Sequence, residues 1–482
     1  MENQPNSSTV DEFSYPLVVD LDGTLIKGDL LYESLFDAIS RHGWRVANRD
    51  ILKRISKSGI KAHLSYYSDI SYPELPYNEK ILQLIADAKS EGRKVYLATA
   101  SHRSHAEKIA ESLGVFDGVF ASDDSVNLKG TKKAEVLLDA FGDGAFDYVG
   151  NDESDEKIWK HARRAYSIGL SARPSRRLSA THREHIVVDQ RKRVVPALIK
   201  AMRPHQYAKN GLIFVPLLTA HQFTLGAFVD ALLAFIAFSI CASGVYLLND
   251  LLDIQADRAH PSKRKRPFAS GQLPIMTGMA FIPILTISAF VIAWFVSLNF
   301  FLTLLVYYLL TNAYSFSIKK RMVIDVVTLA SLYTLRVFAG AAAIDVEISD
   351  WLFTFSLLIF TALALLKRYI ELSMRLDNQL NDPHNRNYKI TDLPVIIALA
   401  AAAGMNSVMV IALYVSSDNV SALYRHPHVL WGLCPLFLYW IARSIMLAHR
   451  RLMDEDPIAF ALKDNRSWAV GITSIALVFA AL

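Results

Sequence analysis

Apolar and polar positions divide the chain near residue 205. Before that point, short apolar stretches such as Leu17-Val18-Val19, Val95-Tyr96-Leu97-Ala98 and Tyr148-Val149 are separated by charged segments, the pattern of short strands in an ordinary globular α/β domain. After it, long apolar runs alternate with short polar ones, near 211–226, 228–248, 275–295, 298–315, 324–344, 351–370, 392–415, 428–448 and 467–482. A span of ~30 Å of hydrocarbon needs about this length of helix. The expectation is an all-α membrane domain of about nine transmembrane helices behind the globular domain.

Basic residues orient the membrane half. Alternate loops carry Arg258, Lys263, Arg264, Lys265 and Arg266; Lys319, Lys320 and Arg321; Lys367, Arg368, Arg375, Arg386 and Lys389; and Arg443, Arg450, Arg451, Lys463 and Arg466. The intervening loops supply only Arg425. Positively charged loops stay on the cytoplasmic side, and the polar N-terminus offers no cleavable signal. The expected location is a multi-pass protein of the cell (inner) membrane, its front domain cytoplasmic. Of the 482 residues 52% are hydrophobic, and the two cysteines, Cys241 and Cys434, both lie inside apolar runs. They form neither a disulfide framework nor a metal cluster.

The second apolar run closes on Asn249-Asp250-Leu-Leu-Asp253-Ile-Gln-Ala-Asp257. Positions three, four and seven apart share a helix face, so Asn249, Asp250, Asp253 and Asp257 converge. Stacked carboxylates at a membrane boundary repel and are expensive. Mg²⁺, a hard ion satisfied by a few carboxylates plus phosphate oxygens, would offset that cost. His260-Pro-Ser-Lys263-Arg264-Lys265-Arg266-Pro-Phe-Ala-Ser-Gly271 follows at once and supplies counter-charge for a diphosphate.

N-D-x-x-D-x-x-x-D followed by R-P-x-x-x-G resembles the first aspartate-rich motif of the UbiA superfamily of intramembrane prenyltransferases. The resemblance covers about 195–482 and implies that the motif binds a donor diphosphate through Mg²⁺. Typical members carry a second D-x-x-x-D after the sixth helix. Here that stretch reads Lys367-Arg368-Tyr369-Ile-Glu371-Leu, and Asp377 and Asp382 are one residue too far apart. Asp325 opens the fifth helix and Arg336 lies eleven residues on, ~16 Å along the same face. An intramembrane arginine is a functional candidate by default. Together with Arg203-Pro-x-Gln206-Tyr-x-Lys209-Asn210 and Tyr314-Ser-Phe-Ser-Ile-Lys319, these segments resemble the decaprenyl-phosphate phosphoribosyltransferase branch. That resemblance implies phosphoribosyl diphosphate as donor and a polyprenyl phosphate as acceptor. Asp250, Asp253 and Asp257 would be catalytic and hold the metal. Asn249, Lys209, Lys263, Arg264, Arg266, Tyr314, Lys319, Asp325, Arg336, Lys367 and Arg368 would bind substrate.

The front domain opens with Leu17-Val18-Val19-Asp20-Leu-Asp22-Gly23-Thr24, an apolar strand ending in D-x-D-G-T. Further strands end at Thr99 and at Gly150-Asn151-Asp152-Glu-Ser-Asp155, with Lys132 and Lys133 between them. In open α/β sheets chemistry sits beyond the carboxyl ends of strands. Order and spacing resemble the haloacid dehalogenase (HAD) superfamily over about 13–172, with a Rossmann-like fold and a small helical cap at 29–78. By that resemblance Asp20 attacks a phosphoryl group, Asp22 is the general acid/base, Thr99 binds phosphoryl oxygens and Lys133 (or Lys132) neutralises charge. Asp20 and Asp155 would hold Mg²⁺, with Asp22 and Asn151 in the same metal site. Asn151 stands where the family usually has an aspartate, so the site loses a charge. Residues 173–195, rich in arginine, read as a basic linker docking on anionic headgroups rather than on nucleic acid, and 196–482 as the membrane domain. The fusion suggests that the front domain removes the 5-phosphate of the lipid-linked product. Two alternatives stay open: a prenyl diphosphate donor with an aromatic or other acceptor, and a transporter with a regulatory HAD domain.

Overall fold

The structure, a computed structural model, describes residues 15–43, 57–123, 126–182, 184–190, 193–382, 387–453 and 456–482. The front domain's expected start at residue 13, and Arg183, Arg191, Lys192 and Arg386 of the basic segments, lie outside them. The chain divides into two compact units, Met1–Met202 with Tyr246–Ile282, and Arg203–Val245 with Pro283–Leu482.

The first unit is built on a six-stranded parallel sheet in the order β3-β2-β1-β4-β5-β6. Its strands are β1 (Leu17–Val19), β2 (Val95–His102), β3 (Gly118–Ser122), β4 (Asp147–Gly150), β5 (Ala165–Ile168) and β6 (His185–Asp189). β1 is central and wholly buried, as an uninterrupted Leu-Val-Val run requires in a sheet covered on both faces. Alternation along the strand sends Leu17 and Val19 to one core with Leu21, Ile81 and Ile109. Val18 goes to the other, with Leu137, Phe146 and Trp159.

Helices Leu30–His42 and Lys57–Tyr67 lie between β1 and β2 in the chain, in the stretch expected to form the cap. The segment read as a basic linker carries helix Ala172–Thr181 and edge strand β6, so the sheet continues beyond residue 172. Its arginines mark the exposed side of secondary structure. The sequence also gave no sign that Tyr246–Ile282, with its acidic motif, belongs to this unit.

Among the described residues, six helices are long and apolar enough to cross a membrane: Leu225–Leu252, Ile275–Val296, Ile324–Ala343, Asp350–Asp377, Ile390–Val415 and Pro427–His449. From the sequence, about nine are expected. Leu298–Phe316 and Asn465–Ala481 are helical as well, over 19 and 17 residues, but fall outside that set. The first run, 211–226, forms no spanning helix. It folds as a 3₁₀ stretch, Pro204–Phe214, and a five-residue turn of helix, Val215–Thr219. Pro204 and Pro216 each withhold an N–H donor and keep this backbone from one continuous helix.

The irregular segment packs tightly on helix Ile324–Ala343 of the same unit. A Cβ at Gly340 would lie 2.0 Å from the Ile213 carbonyl oxygen, so only glycine permits the approach. Three apolar cores hold the described part of this unit, one around Val337, Leu363 and Ile370, one around Phe238, Cys241, Phe300 and Tyr307, and one around Ile411, Val415 and Leu430. Cys241 is a buried core residue, as its apolar setting implied.

Candidate active sites

In the first unit, parallel β1, β2 and β4 bring their carboxyl ends together, and with them the groups named from D-x-D-G-T, Thr99 and the Asp155 loop. Asp20 directly follows β1. Lys133, in the first turn of helix Thr131–Phe141, donates from Nζ to Asp20 Oδ1 at 2.7 Å and to Tyr148 Oη at 3.1 Å. Tyr148 in turn donates to Asp155 Oδ1 at 3.0 Å. The backbone amides of Asn151 and Asp152 donate to Asp155 Oδ2 at 3.0 and 3.1 Å. Of the two lysines offered by the sequence, Lys133 is buried against Asp20 and Lys132 is exposed.

Asp22 is held differently. Its Oδ1 accepts from the Leu30 amide at 2.9 Å and its Oδ2 from Ser101 Oγ at 2.5 Å. Burial, reinforced by the charge of Asp29, pushes its pKa up to about 6. A carboxyl poised there can give and take a proton near neutral pH, as a general acid/base must. Burial also raises Asp20, against the pull of Lys133. Thr99 is fully buried in the second half of β2, three residues before its end, and its Oγ1 accepts from the Ser101 amide at 2.9 Å.

The metal reading fits this arrangement. Asp20 and Asp155 are both buried and linked through Lys133 and Tyr148, and burial, then the Asp20 charge, pushes Asp155 up to about 6. A divalent cation relieves the repulsion between the two carboxylates. The Asn151 side chain lies against Gly23, where a Cβ would come within 2.1 Å of its Nδ2. That contact fixes Asn151 beside the D-x-D-G-T turn. Sequence reasoning missed Tyr148 and Ser101. Tyr148 reads as one more apolar strand residue, and only the fold turns its hydroxyl between Lys133 and Asp155.

The acidic motif at the end of the second apolar helix keeps the face its spacing predicted, with a distortion. Helix Leu225–Leu252 stops at Asp253 (φ −100°, ψ 12°) and a short helix, Ile254–Arg258, follows. Backbone bonds nevertheless run from Asp253 N to Asn249 O and from Asp257 N to Asp253 O, at 2.9 and 2.8 Å. Asp250 and Asp257 are both buried, and a single nitrogen of Arg266 reaches both. Its Nη1 lies 3.3 Å from Asp250 Oδ1 and 2.9 and 2.7 Å from the Asp257 oxygens. The R-P-x-x-x-G arginine therefore folds onto the acidic face. Asn249 Oδ1 is shut off from solvent and accepts no hydrogen bond, which leaves an oxygen suited to a cation. Lys263 and Arg264 sit on a 3₁₀ turn, the first half-buried and the second exposed.

Among the described residues no three His, Cys, Asp or Glu side chains cluster tightly enough for an all-protein metal cage. Magnesium bound with phosphates asks only for one or two carboxylates.

In the second unit the expected cations have partners the sequence did not reveal. Arg368 is buried; its Nε donates to Asp325 Oδ2 at 2.7 Å, Nη1 to Glu371 at 2.5 Å and Nη2 to Tyr314 Oη at 3.1 Å. Tyr388 donates to the other Asp325 oxygen at 2.7 Å. Arg336 is not the partner of Asp325, although they share a helix face, because three turns of rise separate them. Its Nε donates to Asn210 Oδ1 at 3.0 Å and its Nη1 to Leu332 O at 2.5 Å. The rings of Phe238, Tyr307 and Tyr333 surround its guanidinium at 5.1–5.3 Å, the geometry of cation–π contact. Lys209 pairs with Asp456, and Lys367 lies 3.8 Å from the same carboxylate. Lys319 is half-buried on the 3₁₀ turn Ile318–Lys320. Arg368 and Lys209 are thus compensated charges, not surplus ones.

Residues 17–142 match the haloacid dehalogenase-like hydrolases, and residues 213–470 match the UbiA prenyltransferase family. An uncharacterised protein, y4nM, of Sinorhizobium fredii is 34% identical over 465 residues, 95% of this chain and 89% of its own length. The nodulation protein NoeC of Azorhizobium caulinodans is 34% identical over 268 residues, 56% of this chain and 87% of that protein. The decaprenyl-phosphate phosphoribosyltransferase of Mycolicibacterium smegmatis is 35% identical over 188 residues, which span 38% of this chain and 59% of that enzyme. With the match covering more than half of its residues, the chain belongs to the UbiA prenyltransferase family and carries a HAD-like domain at its N-terminus.

Proposed function

We propose that the membrane domain transfers a phosphoribosyl group from phosphoribosyl diphosphate to a polyprenyl phosphate, and that the HAD-like domain removes the 5-phosphate of the product. The observation that carries the transferase half is the convergence of Asp250 and Asp257 on Arg266. Mg²⁺ held by Asp250, Asp253 and Asp257 would neutralise charge on the departing diphosphate. Arg266, on the same carboxylates, shifts toward the diphosphate oxygens when substrate arrives, and Asn249 Oδ1 orients that end of the donor. An oxygen of the lipid phosphate forms the new bond to C1 of the ribose as the C1–diphosphate bond breaks, with no protein nucleophile. Two facts favour ribose over prenyl as the moving group. No aspartate pair follows the Lys367-Arg368 segment at the usual spacing of a second metal motif, and the mycobacterial relative bears a phosphoribosyltransferase name.

In the front domain the Asp20 carboxylate attacks the phosphorus of the 5-phosphate. The P–O bond to ribose breaks, and Asp22 delivers its proton to the leaving hydroxyl. Water then hydrolyses the aspartyl-phosphate, giving its proton back to Asp22. Lys133 holds the nucleophile in place between these steps. Both domains work on the cytoplasmic side of the inner membrane, the side marked by the basic loops.

The test is direct. Full-length protein in lipid nanodiscs receives labelled phosphoribosyl diphosphate, Mg²⁺ and decaprenyl phosphate. Expected are stoichiometric pyrophosphate and a lipid-linked ribose, phosphorylated at the 5-position when Asp20 is replaced by Asn. Turnover of a prenyl diphosphate with no ribose in the lipid fraction would overturn the assignment in favour of the prenyl-donor alternative. The transporter alternative falls away with membership of a transferase family.

A further inference from the structure

Arg258 neighbours Asp257 of the diphosphate motif, yet its side chain turns away from it into the HAD-like fold. Its Nη1 and Nη2 donate to the two carboxylate oxygens of Glu33 at 2.7 and 2.9 Å, and its Nε donates to the Ala269 carbonyl at 3.1 Å. The two side chains are only 3% and 0% exposed. A buried, doubly bonded pair of this kind is rigid, because either charge left alone in a dry site is heavily penalised.

Glu33 stands one turn into helix Leu30–His42. The Leu30 amide of that helix binds Asp22, and the Glu33 amide is bonded to Asp29 O at 3.0 Å. Glycines record how closely the surrounding pieces meet. A Cβ on Gly28 would fall 2.1 Å from Glu33 Oε1, and one on Gly271 (φ +68°) would fall 2.4 Å from Lys27 Cβ. The segment after D-x-D-G-T is therefore keyed to the loop that closes R-P-x-x-x-G, within one compact unit.

We propose that Glu33 is a positioning residue for the transferase reaction. It holds Arg258, and through Arg258 the turn Asp253–Ala269, so that Asp257 and Arg266 present their charges to a metal-bound diphosphate. The HAD-like domain thus has a second role, independent of its own hydrolysis: it braces the donor site. The inference rests on the acidic motif being the diphosphate site, whichever group the donor carries.

The experiment uses the full chain in nanodiscs and inorganic pyrophosphate with Mg²⁺ as probe, followed by titration calorimetry, with p-nitrophenyl phosphate hydrolysis measured on the same samples. Glu33→Gln keeps the shape of the side chain and removes its charge. It is expected to weaken Mg-pyrophosphate binding by about tenfold, the usual effect of losing an outer-shell support, and to leave hydrolysis within about twofold. Arg258→Lys keeps the charge without the fork and should fall between wild type and Glu33→Gln. Asp257→Asn is the control for the site itself: unchanged binding there sinks the diphosphate-site reading. If Asp257→Asn weakens binding while Glu33→Gln and Arg258→Lys leave it at the wild-type value, only the bracing role is overturned. Parallel loss of hydrolysis and binding in both variants equally overturns it, since that marks general destabilisation.

Discussion

Replacing Arg368 by Met tests whether this cation holds the protein together or holds substrate. Asp325 is 0% exposed in its side chain, and its charge partner is Arg368 at 2.7 Å. At an effective dielectric of about 20, the attraction across that distance is about 6 kcal/mol. Desolvation of both ions cancels much of it, but truncating one partner leaves the other's desolvation uncompensated. After Arg368→Met, Asp325 retains the Tyr388 hydroxyl at 2.7 Å, and Glu371 loses its 2.5 Å bond. The expected loss is about 3–5 kcal/mol, the range for breaking a buried pair. Asp325→Asn should cost less, about 1–3 kcal/mol, because Arg368 keeps Glu371 and Tyr314. The double variant should therefore cost less than the sum of the two by about 1 kcal/mol or more, the signature of coupling. Unfolding in mixed micelles of mild detergent and dodecyl sulfate measures all three. A loss below about 1 kcal/mol for Arg368→Met, or strict additivity, would refute the reasoning, and abolished transfer at full stability would return Arg368 to the substrate-binding residues.

Further outcomes follow from other sites. Asp20→Asn should lower phosphomonoester hydrolysis by about 10³-fold or more while pyrophosphate release by the membrane domain stays within twofold, as two assays on one preparation would show. Gly340→Ala drives a methyl group into the Ile213 carbonyl at 2.0 Å and should cost about 2 kcal/mol or more, read as a lowered midpoint of thermal aggregation. His105 is buried between Ser34 and Tyr72, and burial, with the nearby His102 and Lys108 charges, lowers its pKa from 6.5 to about 4. The unfolded chain takes up this proton first as pH falls. The front domain's stability from this group is therefore complete above pH 6.5 and is lost on the way down to pH 4, by about 3 kcal/mol in total. Lower protection factors in helix Leu30–His42 at pH 5 than at pH 7, after correction for the slower intrinsic exchange at the lower pH and absent in His105→Gln, check it.

Local pattern carried a good part of this protein. Hydropathy separates an α/β half from a helical membrane half because strand and helix burial follow from short-range periodicity, which Leu17-Val18-Val19 and the later apolar runs express without help. The motifs D-x-D-G-T and N-D-x-x-D-x-x-x-D group their carboxylates for the same reason: strand ends and helix faces put residues of fixed spacing together, and Arg266 reaches both Asp250 and Asp257. Partners far apart in sequence were decided only by the fold. Asp325 could not be seen to choose Arg368 over Arg336, nor Lys209 to meet Asp456, nor Tyr148 to bridge Lys133 and Asp155. A buried charge takes whatever opposite charge the packing brings within hydrogen-bond reach, and spacing along the chain carries no record of that. The same holds for Glu33 and Arg258, 225 residues apart. Each looks like a surface residue until tertiary structure buries both and makes them partners.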